Sequence, residues 1–338
     1  MAVLVTGGAG FVGVSLVEAL LDAAHEVVLV DTVDVPAGAD RSLRQRRGAL
    51  KIEKVSVLDR ESLATIFGRY AIERVVHAAA ITSGASREAR DPARIVDVNL
   101  QGTLNVLEAA REHDVRRIVY VGSGAAYGES LYRFPVVYEE TPSVPTSLYS
   151  ITKHAAERTC MRLADLWSVD AVCVRLGTVI GPWERDTGAR DNFGTHSQLA
   201  RLAVRGEAAI LTAREVQRDW VYAKDVAHAL SELAFATRLQ HRLYNVSSGA
   251  AWQQPIAGWC AALKSSYPAF RYATEDAQRK ANIWYTDRDR GCMDIGRLMR
   301  DTGFRPRHLM AEAYSDYLAW MKRTPEFFEQ MSGGERSA

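Results

Sequence analysis

Three side chains combine a hydroxyl, a phenol and an amine at positions suited to proton transfer. Tyr149 and Lys153 are spaced i, i+4 at the start of a predicted helix, so they share one helix face. A nearby ammonium group favours the phenolate form of a tyrosine, which is the form that a general base needs. Ser123 lies just past a predicted strand, where its hydroxyl can hydrogen-bond a reacting oxygen. Because such pairs also occur on ordinary helix surfaces, their meaning depends on the elements that position them.

A glycine-rich turn near the N-terminus is the second chemical motif. Gly7, Gly10 and Gly13 lie between a predicted strand, Ala2–Thr6, and a predicted helix. Glycine allows a tight turn and lets a phosphate approach the backbone, and the helix N-terminus then attracts an anionic pyrophosphate. Asp31 ends the next strand, where a carboxylate accepts hydrogen bonds from ribose hydroxyls and repels a 2′-phosphate. We therefore expect NAD as the cofactor.

The residues after Asp31 leave one alternative for the cofactor. Arg41, Arg44, Arg46 and Arg47 would favour the 2′-phosphate of NADP if they reached this site. Because Asp31 occupies the discriminating position, we interpret these arginines as a solvated surface run.

Strands alternate with helices through the first half of the chain, and the strands are apolar with little polar alternation. This pattern predicts a parallel sheet that is covered on both faces. The predicted strands are Ala2–Thr6, Glu26–Val30, Lys51–Val55, Arg74–His77, Arg117–Val121 and Ala171–Leu176. The predicted helices are Phe11–Ala23, Ser62–Tyr70, Ala93–His113, Leu148–Trp167, His196–Arg205, Lys224–Thr237, Gln254–Lys264, Asp294–Asp301 and His308–Lys322.

The regular pattern breaks after Gly181 and Pro182. The segment 183–194 is polar, carries Arg185 and Arg190, and is too long for a simple turn. We therefore expect it to be a functional or mobile loop.

The composition excludes several classes of protein. The 338 residues contain 42 Lys and Arg against 41 Asp and Glu, so no nucleic-acid partner is expected. No run of about 18 apolar residues predicts a membrane-spanning helix. The four cysteines lack the spacing of metal ligands, so we expect free thiols and no metal site. The first residues carry no positive charge before their apolar run, and we expect a cytoplasmic protein.

The sequence resembles the extended short-chain dehydrogenase/reductase family, in its NAD-dependent epimerase/dehydratase branch, through the glycine turn, Asp31 and the three proton-transfer residues. The resemblance covers roughly residues 2–310. The combination of motifs is highly specific for fold and cofactor. Besides the residues already named, the resemblance rests on 77–80, Asn99, Tyr127, Arg175, 181–182, 218–222 and Asp225.

The resemblance implies an α/β fold, with a Rossmann doubly wound parallel sheet and a smaller C-terminal α/β substrate lobe. Family members are commonly dimers that pair two long helices per subunit. We therefore expect a homodimer that pairs Ala93–His113 and Leu148–Trp167. The implied divisions are a NAD-binding domain over 1–176 and about 221–246, a substrate-binding lobe over 177–220 and 247–330, and a disordered tail over 331–338.

The resemblance also assigns roles to the proton-transfer residues. Tyr149 would be the base, and Lys153 would bind the nicotinamide ribose and favour the Tyr149 phenolate. Ser123 would orient the substrate hydroxyl. The cofactor contacts expected are Gly7, Gly10, Phe11, Val12, Gly13, Asp31, Ser56, Val57, Ala78, Ala79, Ala80, Asn99, Tyr149 and Lys153.

An anionic small-molecule substrate is expected from Arg218. In nucleotide-sugar enzymes of this family the matching arginine holds the diphosphate, which suits a guanidinium fork. A structural salt bridge of Arg218 with Asp219 or Asp225 is the alternative. The substrate contacts expected are Ser123, Tyr149, Thr178, Arg185, Arg218 and Arg290.

Departures from the family pattern narrow the reaction. Gly124 and Ala125 stand where 4,6-dehydratases carry an Asp-Glu pair, so the added acid and base for water elimination are missing. Thr178 stands where nucleotide-sugar enzymes commonly carry Asn. Residues 212–215 replace a common Gly-Asp-Gly stretch, and Ser56 replaces an Asp that often contacts adenine. Epimerisation and simple oxidation–reduction remain.

Our leading hypothesis is an NAD-dependent sugar epimerase that acts on a nucleotide sugar. The alternative is an NAD-dependent dehydrogenase of a small hydroxy acid, sugar acid or alcohol, which would release NADH. Thr178 and the missing Gly-Asp-Gly stretch favour the alternative, whereas Arg218 and the chain length favour the epimerase. A regulatory protein that only binds NAD is a third hypothesis, which the intact proton-transfer residues disfavour.

Overall fold

The computed structural model describes residues 2–286 and 288–332. Seven parallel strands form the central sheet. Their order is 3-2-1-4-5-6-7, so the topology reverses between the first and fourth strands, as the predicted Rossmann fold requires. In chain order the seven strands are Ala2–Thr6, Glu26–Asp31, Leu50–Lys54, Ile72–His77, Arg117–Val121, Ala171–Leu176 and Leu243–Val246.

Helices cover both faces of the sheet because alternate residues of each strand face opposite sides. Val3 and Val5 pack with the helices Phe11–Asp22 and Ala223–Phe235. Leu4 packs on the other face, in a core that includes residues of Arg60–Arg69, Gly102–Glu112 and Leu148–Trp167. The remaining helices are Ala37–Arg44, Ala85–Arg90, Pro92–Val96, Ser130–Arg133, Thr195–Arg205, Pro255–Ser266, Gly296–Thr302, Met310–Arg323 and Pro325–Ser332, with a 3₁₀ turn at Gly124–Tyr127.

A second core, rich in aromatic residues, is built mainly from the C-terminal half of the chain. Trp183, Trp220, Trp259, Tyr317 and Trp320 are all buried there. Three short parallel pairs of strands complete the fold: Thr178–Ile180 with Trp220–Tyr222, Ala208–Leu211 with Arg271–Thr274, and Val136–Val137 with Cys292–Met293.

The predicted helix Ala93–His113 is wrong in one respect, because it is not a continuous α-helix. A π-helical segment, Asp97–Gln101, separates Pro92–Val96 from Gly102–Glu112. The segment contains Asn99, whose buried side chain bonds to the backbone of Ile81 instead of facing solvent. Such π-bulges are frequent at functional sites.

The predicted disordered tail begins too early, because the last helix, Pro325–Ser332, extends two residues into the range 331–338. Phe327 and Phe328 anchor that helix in the aromatic core. The remaining residues of the predicted tail, 333–338, lie outside the described residues. Within the described ranges, no helix has the length and apolar character needed to cross a membrane.

Candidate active site and dinucleotide cleft

A cavity of about 850 Å³ opens at the carboxyl ends of the parallel strands. This volume lies in the range typical of ligand sites, and the location is where open α/β sheets bind ligands. Asn99 is the one predicted site residue that does not line the cavity. The predicted residues that do so are Gly7, Gly10, Phe11, Val12, Gly13, Asp31, Ser56, Val57, Ala78, Ala79, Ala80, Ser123, Tyr149, Lys153, Thr178, Arg185, Arg218 and Arg290.

The glycine turn is packed so tightly that only glycine fits at two positions. Gly7 has a positive φ of 67°, and a Cβ there would lie 2.7 Å from the backbone nitrogen of Ala79. A Cβ on Gly13 would lie 2.1 Å from the carbonyl oxygen of Gly7. The helix that follows has no side-chain cap, so its first backbone amides remain available to an anionic ligand. This cradle fits the pyrophosphate of NAD.

Asp31 is held beside the glycine turn by three backbone amides. Its Oδ2 accepts from Ala9 at 3.0 Å, and its Oδ1 accepts from Thr32 at 2.7 Å and Val33 at 3.3 Å. Burial raises the pKa of this carboxyl, while the amides and Arg185 oppose the rise. A fixed carboxyl at this edge fits a ribose diol of NAD.

Arg185 lies against the glycine turn, which is the cofactor half of the cleft. Its guanidinium donates to the carbonyl oxygens of Ala9 and Asp34. The structure therefore places Arg185 beside predicted cofactor residues, whereas it was grouped with Arg218 and Arg290 as a predicted substrate contact.

Ser123, Tyr149 and Lys153 all line the cavity. Ser123 follows the strand Arg117–Val121 and accepts a hydrogen bond from Ala125 at 3.1 Å, which fixes its hydroxyl at the strand end. Tyr149 and Lys153 lie in the first turns of the helix Leu148–Trp167. A capping box between Ser147 and Ser150 fixes where that helix begins.

Lys153 is buried, with 3% of its surface exposed. Its Nζ donates to the carbonyl oxygen of Val121 at 2.7 Å and lies 4.5 Å from the ring centre of Tyr120. Burial lowers the pKa of the Lys153 amine to about 7. The amine therefore gains and loses its proton near neutral pH, one helical turn from Tyr149.

Arg218 and Arg290 place two cationic side chains at the other end of the cavity. Arg218 is 4% exposed, and among the described side chains it feels the charge of Asp289 without forming an ion pair. Burial, followed by the charge of Arg290, lowers the pKa of Arg218 to about 10. Arg290 donates to the hydroxyl of Tyr132 at 3.3 Å. A buried cation without a direct ion-pair partner is costly, so this end of the cavity favours an anionic ligand.

The alternative salt bridges of Arg218 are not formed. Asp219 accepts from Ser247 at 2.6 Å, and burial raises the pKa of Asp219 to about 7. Asp225 instead bonds His308, whose Nδ1 lies 2.8 Å from it.

The segment 184–194, which we call the strap, crosses the cleft. At its start, Arg185 bonds to the glycine-turn side. At its end, Asp191 forms an ion pair with Arg87 and accepts from the Gly84 amide at 2.7 Å. Between these points the Ala189 carbonyl accepts from the Thr82 amide at 2.7 Å. The segment expected to be a functional loop is therefore bonded to both sides of the cofactor half of the cleft.

Asn99 lies behind the cavity wall. Its side chain donates to the Ile81 carbonyl at 3.0 Å and accepts from the Ile81 amide at 2.8 Å. It also donates to Thr152 at 3.1 Å, which ties this wall to the helix that carries Tyr149. The geometry gives Asn99 a supporting position in place of the predicted direct contact with the cofactor.

Two aromatic residues that line the cavity were missed by the sequence analysis. They are Trp284 and Tyr285, and 52% of Trp284 is exposed. They belong to an irregular segment, so no helix or strand periodicity could mark them. Across 2–286 and 288–332, no group of three or more His, Cys, Asp or Glu side chains is arranged to hold a metal ion.

The chain matches the NAD dependent epimerase/dehydratase family over residues 3–247. A UDP-glucose 4-epimerase of Mycolicibacterium smegmatis is 31% identical over 242 residues, which are 68% of this chain and 72% of that protein. A UDP-glucose 4-epimerase from Thermotoga maritima, solved with UDP-glucose, is similar with a TM-score of 0.79 and 25% identity over 96% of this chain and 100% of that chain. The Thermus thermophilus UDP-glucose 4-epimerase, solved with NAD, is similar with a TM-score of 0.75 and 27% identity over 95% of this chain and 99% of that chain. Since the cleft also fits NAD, this chain belongs to the NAD dependent epimerase/dehydratase family, with NAD as its cofactor.

Proposed function

We propose that the protein is an NAD-dependent 4-epimerase of a nucleotide sugar. The observation that carries the proposal is one cavity that joins a dinucleotide cradle, the group Ser123, Tyr149 and Lys153, and two cationic side chains. The relatives and solved structures described above, which are UDP-glucose 4-epimerases, support the same reaction and substrate class.

In this mechanism, Tyr149 removes the proton from a sugar hydroxyl, and Ser123 hydrogen-bonds the same oxygen. Lys153, one helical turn from Tyr149, supplies positive charge to the same cavity when its amine is protonated. Bound NAD supplies a hydride acceptor for the sugar carbon and later a hydride donor to the other face of the resulting ketone. Tyr149 then returns its proton to the sugar oxygen. No net oxidation results.

The diphosphate would lie against Arg218 and Arg290. Planar guanidinium groups match phosphate oxygens with two parallel hydrogen bonds, and burial strengthens such charge-assisted bonds. The second, aromatic core would then be the centre of the substrate lobe, which we infer comprises about 177–220 and 247–330. The exposed ring of Trp284 adds an apolar surface to the same cavity.

A dehydrogenase with the same proton-transfer residues is the second candidate. One observation favours it: Glu215, which lies in the stretch that replaces Gly-Asp-Gly, bonds the first amides of the helix Pro255–Ser266 and does not line the cavity. The strap favours the epimerase, because an epimerase must keep its reduced cofactor bound between two half-reactions.

We also infer a homodimer, in which each copy contributes the segment Ala93–His113 and the helix Leu148–Trp167. Ile151 and Leu166 are exposed on the helix Leu148–Trp167, and Val96 is exposed on Pro92–Val96. Apolar side chains in these places would be covered by the same surface of a second copy. Sedimentation of the purified protein would show a single species of twice the chain mass.

The test uses purified protein, NAD and a panel of UDP-sugars, sugar acids and hydroxy acids. Absorbance at 340 nm reports NADH, and chromatography reports sugar products. Conversion of one UDP-sugar to its 4-epimer with a flat 340 nm trace would support the proposal. A sustained rise over many turnovers would reject it and establish the dehydrogenase.

A further inference from the structure

The backbone amide of Tyr149 is bonded by a residue that lies far away in the sequence. The carboxylate Oε1 of Glu88 accepts from the Tyr149 amide at 3.1 Å. The first amides of a helix have no partner within the helix, so they need an acceptor from elsewhere. Glu88 therefore fixes the position of the very residue that would act as the base.

The other amides at this helix start bond to nearby residues or have no partner among the described residues. Ser147 accepts from the Ser150 amide at 3.2 Å, and the Ile151 amide bonds the Ser147 carbonyl. These bonds fix the end of the helix relative to its own preceding loop. Among the described backbone amides of this helix start, that of Tyr149 is the one that bonds a different element of the fold, the helix Ala85–Arg90.

Glu88 is itself held in place from two sides. The Ser83 hydroxyl, which lies in the cavity wall, donates to the same Oε1 at 3.2 Å. The neighbouring residue, Arg87, forms an ion pair with Asp191 of the strap and donates to the Gly188 carbonyl at 2.6 Å. The short helix thus joins the strap to the start of the helix that carries Tyr149.

We propose that Glu88 is a positioning residue for Tyr149, acting as a hydrogen-bond acceptor for its backbone amide. The side chain touches neither the sugar nor the cofactor in this role. It sets the distance of the phenol from the other cavity groups, and errors of about 1 Å in such distances cost catalytic rate steeply. The proposal rests on the proposed function, since it assumes that Tyr149 is the base.

The experiment compares Glu88→Ala with Glu88→Gln in the NAD-loaded protein. Glutamine keeps a carbonyl oxygen that can accept from the amide, whereas alanine removes the acceptor. We expect Glu88→Ala to lower kcat for the UDP-sugar at least about ten-fold, with KM and NAD content unchanged. Glu88→Gln should recover most of the rate. Equal losses in both variants would overturn the proposal, because charge rather than acceptance would then be the cause.

Glu215→Ala is the matched control. Glu215 lies far in sequence from the helix Pro255–Ser266 and accepts from its first amides, but that helix does not carry Tyr149. If Glu215→Ala lowered kcat as much as Glu88→Ala at equal loss of melting temperature, the effect would be general destabilisation, and the positioning role would be wrong.

Hydrogen–deuterium exchange of the peptide that contains Tyr149 separates this proposal from the proposed function. We expect faster exchange of the Tyr149 amide in Glu88→Ala and wild-type exchange in Glu88→Gln. Unchanged exchange in Glu88→Ala would overturn the proposal even if the wild type epimerised a sugar. A wild type that turned over no sugar would count against the proposed function alone, while the exchange data would still decide whether Glu88 holds this amide.

Discussion

The amine of Lys153 lies 2.7 Å from the carbonyl oxygen of Val121, at the end of the strand that precedes Ser123. This bond connects the helix Leu148–Trp167 to the central sheet inside the cavity. Because no carboxylate pairs with the amine among the described residues, its proton is held mainly by one carbonyl dipole and the face of Tyr120. The site therefore contains a cation whose charge depends on pH near neutrality.

Replacing this amine should change how stability depends on pH. The pKa of Lys153 is about 7 in the folded protein, against about 10.4 for a lysine in an unfolded chain. Between these values the unfolded chain binds the extra proton, so stability rises with pH there, and the cost of burying Lys153 is greatest below pH 7. Lys153→Met should raise the unfolding free energy of the NAD-free protein by about 3 kcal/mol more at pH 6 than at pH 9. Urea titrations at both pH values measure this, and a pH-independent difference would contradict it.

Replacing Tyr149 by Phe tests the base directly. The variant lacks the hydroxyl that would take the proton, so we expect turnover to fall by about a hundred-fold or more. The backbone bond to Glu88 and the glycine turn are unaffected, so NAD should bind as in the wild type. Turnover assays and bound-NAD absorbance measure the two effects. Unchanged turnover would exclude both the epimerase and the dehydrogenase mechanisms that use Tyr149.

Two glycines of the turn should respond differently to the same substitution. Gly13→Ala would place its Cβ against the Gly7 carbonyl and the Gly8 backbone, so we expect a loss of about 3 kcal/mol or more in unfolding free energy. Gly10→Ala meets only the Gly7 carbonyl, at 3.1 Å, and should cost about 1 kcal/mol or less. It should nevertheless weaken NAD binding, since its Cβ would stand where a phosphate approaches the backbone. Calorimetry of both variants, with and without NAD, distinguishes these effects.

Arg218→Ala should weaken substrate binding without loss of stability. Arg218 forms no ion pair with a described side chain, and the nearby Asp289 is paired with Arg214, so removal of Arg218 leaves no unpaired charge behind. We expect at least about ten-fold weaker binding of UDP, because a charge-assisted hydrogen bond is lost. Isothermal titration with UDP and thermal melting measure the two quantities. A marked fall in melting temperature with unchanged UDP affinity would instead indicate a structural role.

The Arg87–Asp191 ion pair should control how fast the cofactor leaves. Asp191→Asn removes the charge of the strap's carboxylate while keeping an oxygen for the Gly84 amide. We expect NADH to be released about ten-fold faster. The decay of NADH fluorescence after dilution measures this rate. Glu207→Gln, which neutralises the exposed Arg205–Glu207 pair, is the control and should release NADH at the wild-type rate. Equal release rates in all three proteins would show that the strap does not retain the cofactor.

Local sequence signals predicted the helices and strands whose ends are determined by nearby residues. The bounds of Ala2–Thr6, Leu148–Trp167 and Ala171–Leu176 agree with the structure, because apolar runs and helix caps act over a few residues. The strand Leu243–Val246 was not predicted, because a strand of four residues is too short to show a clear periodicity. Only the partner strand beside it shows where it belongs.

The site was predictable to the same extent. The residues that line the cavity could be predicted from the glycine turn at Gly7 and the helix at Tyr149, because their residue types are suited to binding phosphate and transferring protons. Contacts between distant segments did not follow. Glu88 meets Tyr149 across 61 residues, and the strap meets Arg87 across about 100 residues. No residue type or spacing marks such a meeting, because the fold of the intervening chain decides it.

The seventh strand has a consequence for how the chain is made. Leu243–Val246 pairs with Ala171–Leu176, but it is synthesised only after the chain has passed through the intervening residues. Until then, a nascent chain on the ribosome presents Ala171–Leu176 as an open edge of apolar residues, which is a template for unwanted pairing with other chains. A fragment that stops near residue 177 would keep that edge permanently. The dinucleotide half of this protein is therefore expected to aggregate when it is expressed alone, despite containing nearly all of the cofactor cradle.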